Sequence, residues 1–185
     1  HLTRSDTAYP STRRRWKNRP LPKRGIELIE KMEEIGLIVD LAHMAERSFV
    51  DAVGACKKPP IVSHTGVHGV KPSWRNLSDY EIKCIADKNG VIGVIFHPGF
   101  LTHGLRASLD CVVEHIKYFL KLAGDDVVAL GSDFDGWVPS MPTDCIDISH
   151  MPRLTERLLR EGIPADSIRK ILGGNALRVI KEVCG

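Results

Sequence analysis

Several things are missing from this 185-residue chain, and each narrows what it does. No apolar run approaches the ~20 residues that a helix needs to cross a bilayer, so no membrane segment is expected. No Cys-x-x-Cys pair occurs. The five cysteines (Cys56, Cys84, Cys111, Cys145, Cys184) are widely spaced and odd in number, which argues against a structural zinc knuckle and for a reducing, cytoplasmic compartment. Internal repeats and low-complexity segments are absent. The first residues, His1-Leu2-Thr3-Arg4, have neither a starting Met nor the basic-then-apolar pattern of a signal peptide. The chain is expected to be a processed or truncated piece of something longer.

What is present is ordinary for a folded domain: 43% hydrophobic and 26% charged residues, enough chain for one core over residues 1–185. The net charge of +3 is local. Residues 1–25 carry eight basic side chains and one acid, leaving 18 basic and 22 acidic residues, a net of −4, in the remainder. The cluster around Arg13-Arg14-Arg15-Trp16-Lys17 is expected to be a solvated, loop-rich segment (1–24). No further nucleic-acid motif accompanies it, so no nucleic-acid partner is expected.

From Gly25 onward, helical and apolar segments alternate. Ile26, Leu28, Ile29, Met32 and Ile35 recur at helical spacing and Gly36 ends the helix. A second helix is predicted over Glu46–Lys57, stopped by Pro59 and Pro60. Ser78 with Glu81 forms a capping box that opens a third, closed by Asn89-Gly90. Leu109–Leu122 reads as a fourth, and three more segments follow at Met151–Arg160, Ala165–Leu172 and Asn175–Val183. Between them lie four apolar runs rich in Val and Ile, at 37–43, 61–64, 91–97 and 127–133, which read as buried parallel strands. A fifth strand is possible at His1–Arg4. The pattern predicts an α/β fold with right-handed crossovers. Four or five strands are too few for an eight-stranded barrel of ~250 residues. The sheet is therefore either open and doubly wound, or the C-terminal portion of a barrel.

Each run ends in a residue that can hold a metal or move a proton: His43, His64, His97 and Asp133. Strand ends of a parallel barrel share one pocket. His43 and His64 are one strand-helix-strand unit apart, so both imidazoles can reach one metal ion; catalytic zinc keeps an open position beside its protein ligands. Asp133 and Asp135 lie in Gly131-Ser132-Asp133-Phe134-Asp135-Gly136, where a carboxylate can bind metal, carry a proton or simply cap the next segment. Arg75 and Asn76 follow His64 closely. The arginine either grips a substrate carboxylate through two hydrogen bonds or is an exposed loop residue.

Asp40-Leu41-Ala42-His43, Pro60-Ile61-Val62-Ser63-His64-Thr65-Gly66, Arg75-Asn76-Leu77-Ser78-Asp79, Ala129-Leu130-Gly131-Ser132-Asp133-Phe134-Asp135-Gly136 and Gly173-Gly174-Asn175-Ala176-Leu177-Arg178-Val179 resemble, in order and spacing, the zinc-dependent membrane (renal) dipeptidases, with the bacterial members looking closest. The resemblance covers residues 25–185. It implies a (β/α)8 barrel of the metallo-dependent hydrolase type, with only its C-terminal strands in this chain, and hydrolysis of dipeptides, some with a C-terminal D-residue, by a metal-bound hydroxide. By position, His43 and His64 resemble histidine ligands of one of two zinc ions and Asp133 resembles the proton-transferring aspartate. Arg75 resembles the residue that binds the substrate carboxylate, and Asn76 and His97 are assigned with it to substrate binding.

The family's first-strand His-x-Asp pair and bridging Glu lie upstream of everything here, so at most one zinc is expected. Where the family has a substrate-binding His, this chain has His1-Leu2-Thr3-Arg4-Ser5-Asp6, with Arg4 or Asp6 in its place. The expected partners are a dipeptide substrate and a second copy of the chain in a homodimer. Two other functions stay open: a non-catalytic remnant that folds and binds at most one zinc, and another amidohydrolase on the same barrel.

Overall fold

The protein was analysed as a computed structural model that describes residues 19–104, 106–136 and 140–185. The strand expected at His1–Arg4, the arginine cluster and the Leu2-Thr3 segment lie outside the described residues.

Three parallel strands, β1 (Ile61–Thr65), β2 (Val91–Val94) and β3 (Val128–Leu130), form a sheet in that order. Their register runs Ile61 to Val91 and Ile92 to Val128. Successive strand residues face opposite sides. Ile92, Val94 and Val128 accordingly join the main core, while Val91 and Ala129 pack with Val179 and Val183.

The first apolar run corrects the four-strand expectation. It starts as a strand beside β1, with the Ile61 N–H donating to Val39 O and the Leu41 N–H to Ile61 O, at 2.9 and 2.8 Å. It stops after one bridge, at Asp40. The Asp40 side chain is the reason: the Ser63 N–H, next in the ladder, donates to its carboxylate at 3.0 Å, and so does the Ala42 N–H, also at 3.0 Å. A side chain has replaced the backbone acceptor, and the chain turns away through His43, whose φ is +68°.

The helices are α1 (Lys23–Glu34), α2 (Glu46–Ala55), α3 (Asp79–Asp87), α4 (Pro98–Leu101), α5 (Leu109–Ala123), α6 (Met151–Arg160), α7 (Ala165–Arg169) and α8 (Asn175–Cys184). The capping box forms: Ser78 Oγ accepts from the Glu81 N–H, and the Glu81 carboxylate accepts from the Ser78 N–H at 2.8 Å. The predicted 165–172 helix is shorter. Beyond Arg169 the turns widen over Lys170–Gly174, where Gly173 leaves helical geometry. The short α4 was not foreseen; Pro98 starts it, and His97 Nδ1 caps it by accepting from the Gly99 N–H at 3.0 Å.

Helices α1, α2, α3, α5 and α6 pack side by side in chain order, and α3, α5 and α8 lie against the sheet. Phe49, Phe96, Phe119, Ile29, Ile82 and Ile116 are fully buried between these layers. Asn175 ties α8 to β3 by donating its amide to Asp125 O and Val128 O at 2.6 and 2.8 Å. Among the described residues no helix is long and apolar enough to cross a membrane.

Candidate active site

The C-terminal end of β1 is irregular: the ladder to β2 shifts between Val62 and Thr65, and the two residues in the gap are Ser63 and His64. The Ser63 carbonyl leans across the sheet, so close that a Cβ at Gly93 or Gly131 would stand 2.1 or 1.9 Å from its oxygen. Only residues without a side chain allow that approach.

The shift aims His64 at His43. Their Nε2 atoms are 2.8 Å apart and the rings meet edge to face, with centroids 4.8 Å apart. Behind His64, Nδ1 lies 2.8 Å from Ser63 Oγ, and Ser63 Oγ donates to Asp40 Oδ2 at 2.7 Å. Burial, and then the Arg75 charge, lower the His64 pKa, partly offset by Asp133 and Asp40. The ring therefore favours its neutral form, the form with a lone pair to offer a metal.

Arg75 is not an exposed loop arginine. It is 4% exposed, and its Nη2 donates to His64 O at 2.7 Å. Burial pushes its pKa down to about 10 against the pull of Asp133 and Asp40. Its Nε is buried with no hydrogen-bond partner among the described residues. Together with His43, Met44, Phe49 and Glu81 it lines a cavity of about 760 Å³.

Asn76 lies beside it, but its amide is fully engaged. Oδ1 accepts from the Gly66 N–H at 3.1 Å, and Nδ2 donates to Lys71 O and Phe100 O, both at 2.8 Å. In this structure it clamps the loop after β1 to α4. His97 is half-buried, caps α4 and packs on Phe100, with centroids 4.8 Å apart. Burial lowers its pKa, and Asp133 partly restores it.

Asp133 sits in left-handed backbone, φ +61°, at the start of a turn closed by Gly136 N–H donating to Asp133 O at 3.0 Å. His43 and Asp133 are two of only three non-glycine residues with positive φ among the described residues, the third being Asn89. Such conformations concentrate at functional sites. Asp133 acts electrostatically on His64, Arg75 and His97 alike. Asp135, two residues on, is exposed.

The donor chemistry at the paired imidazoles fits zinc, which binds histidine nitrogen at ~2.0–2.1 Å. The number of donors does not reach a full set. Among the described residues, no group of three or more His, Cys, Asp or Glu side chains is placed to hold a metal ion. Motif matching left the roles of Asp40 and Ser63 unread. Their signal was an acid three residues before one candidate ligand and a hydroxyl directly before the other.

A family model for membrane dipeptidases (Peptidase family M19) matches residues 4–184. A protein of Klebsiella pneumoniae, described as an uncharacterized protein in pqqA 5'region, is 37% identical over 163 residues, 86% of this chain and 59% of its own. Dipeptidase tcpJ of Claviceps purpurea (strain 20.1) is 34% identical over 165 residues, 88% of this chain and 38% of its own. The chain thus spans 38% to 59% of the length of these curated relatives. An amidohydrolase from Pseudomonas aeruginosa superposes with a TM-score of 0.87 at 28% identity, over 98% of this chain and 62% of its own. A metallo peptidase from Rhodobacter sphaeroides, liganded with a phosphinate mimic of the dipeptide L-Ala-D-Ala, superposes with a TM-score of 0.82 at 26% identity, over 89% and 47%. With the sequence motifs, the fold and the family match in agreement, this chain belongs to the membrane dipeptidase family, peptidase family M19.

Proposed function

We propose that the chain is the C-terminal part of a zinc-dependent dipeptidase, its parallel sheet a portion of a (β/α)8 barrel. The observation that carries this reading is the meeting of His43 and His64 at 2.8 Å, with Arg75 bound to the backbone of one of them and Asp133 acting on the same groups.

His43 and His64 would hold zinc through their Nε2 atoms. Zinc bound there supplies Lewis-acid activation of water and of the scissile carbonyl. Arg75 binds the substrate carboxylate: a desolvated guanidinium attracts an anion strongly, and its Nε–H has no acceptor among the described residues. Asp133 moves the proton to the leaving amine, held in position by its strained turn. Asn76 serves this site by fixing the loop that carries Arg75, and His97 stands at its edge beside Phe100. A cytoplasmic location follows the cysteine pattern.

The test is release of amino acids from L-Ala-D-Ala and Gly-Leu by the chain at increasing zinc. Slow, zinc-dependent release is expected, slow because two imidazoles are fewer than the usual three protein donors. Asp133→Asn should abolish it, and Arg75→Met should raise KM. Release that survives Asp133→Asn would overturn the assignment of Asp133. No release at any zinc concentration would favour the non-catalytic reading, which the short donor set among the described residues supports.

A further inference from the structure

We propose that Asp40 and Ser63 are positioning residues that set the tautomer of His64. This deepens the reading of His64 as a metal ligand and rests on it only for its consequence in zinc binding.

The hydrogen bonds impose a direction. Asp40 Oδ1 accepts two backbone N–H groups, from Ala42 and Ser63, each at 3.0 Å. That fixes the carboxylate in rotation and leaves Oδ2 facing Ser63 Oγ at 2.7 Å. A carboxylate has no proton to give, so the Ser63 hydroxyl donates to it. A hydroxyl has one proton. Ser63 Oγ, 2.8 Å from His64 Nδ1, can therefore only accept there, and the imidazole proton sits on Nδ1. His64 Nε2 is left with its lone pair, directed at His43 Nε2 2.8 Å away, and His43 is the donor across that gap while no metal separates the rings.

The chain Asp40, Ser63, His64 thus holds the second histidine in the one neutral tautomer whose Nε2 can bind a metal. Partners of this kind orient the ring and raise its basicity, and losing one typically costs ~10–100-fold in metal affinity. The same acid also ends the first strand by taking the Ser63 amide, so one side chain sets both the turn that carries His43 and the tautomer of His64.

Asp40→Asn tests the direction. Its Oδ1 can still accept both backbone amides, which keeps the turn and places the new NH2 against Ser63 Oγ. That NH2 now donates, the Ser63 hydroxyl turns its proton toward His64 Nδ1, and the ring proton moves to Nε2. Nitrogen-15 correlation spectra of the metal-free chain, with histidine side chains labelled, report which nitrogen of His64 is protonated. Nδ1–H is expected in the parent and in Ser63→Thr, and Nε2–H in Asp40→Asn. Zinc titration against a chromophoric chelator should show affinity lowered ~10–100-fold in Asp40→Asn and in Ser63→Ala, with Ser63→Thr close to the parent. Ser63→Ala cuts the relay without touching the two amide bonds to Asp40, which guards against a folding defect in Asp40→Asn. Nε2–H already present in the parent, or Nδ1–H retained in Asp40→Asn, would overturn the proposal. Tautomers as expected with no zinc bound by any form would uphold the relay and overturn the metal reading instead.

Discussion

His115 should make this fold acid-sensitive in a defined window. The residue lies on α5 with no exposed surface. Its Nδ1 accepts from the Val67 N–H at 2.9 Å, and its Nε2 meets Leu101 O at 3.1 Å, where it donates. The neutral ring satisfies both partners; a proton added at Nδ1 would face the Val67 N–H. Burial, only partly countered by the bond to Leu101, pushes its pKa down from 6.5 to about 4. The unfolded chain then binds a proton below about pH 6.5 that the folded chain refuses until about pH 4. Stability is complete above the upper value and falls as pH drops through this window, by about 3 kcal/mol at 1.36 kcal/mol per pKa unit. Urea denaturation at pH 7.5 and 4.5, on the parent and on His115→Gln, measures it. His64 and His97 are also shifted down by burial and contribute in the same direction, so the difference between parent and variant carries the signal. The variant should be the less stable at pH 7.5 yet lose about 2.5 kcal/mol less between pH 7.5 and 4.5. Equal losses in both would refute this account of His115.

Asn76→Ala should cost about 3 kcal/mol in the same denaturation assay, because it strands the Gly66 N–H and the Lys71 and Phe100 carbonyls; a change under about 0.5 kcal/mol would show that the loop clamp is dispensable. Gly131→Ala sets a Cβ 1.9 Å from the Ser63 carbonyl oxygen, so the strands must part, and a loss of about 3 kcal/mol is expected. Gly136→Ala separates chemistry from folding. Its Cβ would stand 1.9 Å from Asp133 Oδ1, a side chain that can swing away. Stability should hold within about 0.5 kcal/mol while dipeptide hydrolysis drops about 100-fold; unchanged hydrolysis would remove Asp133 from the reaction.

Element type was legible wherever the sequence carries its own punctuation. Ser78 with Glu81, Gly36 after α1 and Pro59-Pro60 before β1 announce boundaries that the structure keeps within a few residues. The first strand is shorter than implied by its apolar run, which looks like the others; what ends it is the Asp40 carboxylate competing for a ladder amide, a contact made 23 residues away that no local pattern encodes. The short α4 hides in Pro98-Gly99, a pair that more often marks a turn. Strand-end placement was enough to expect His43 and His64 together, since one crossover brings both to the same rim. Arg75 and Asn76 show the limit: adjacent, polar and both buried, they differ in how much of their hydrogen-bonding capacity neighbouring backbone takes up, all of the Asn76 amide but only Nη2 of Arg75, which only the packed loop decides.

The central claim is that His43 and His64 form a metal site, and zinc stoichiometry after dialysis tests it most directly, on the parent, His43→Ala and His64→Ala. One weakly held zinc per chain is predicted for the parent, and none for either variant. No zinc bound by the parent, two tightly held zinc ions per chain, or one ion retained by both variants, would contradict it.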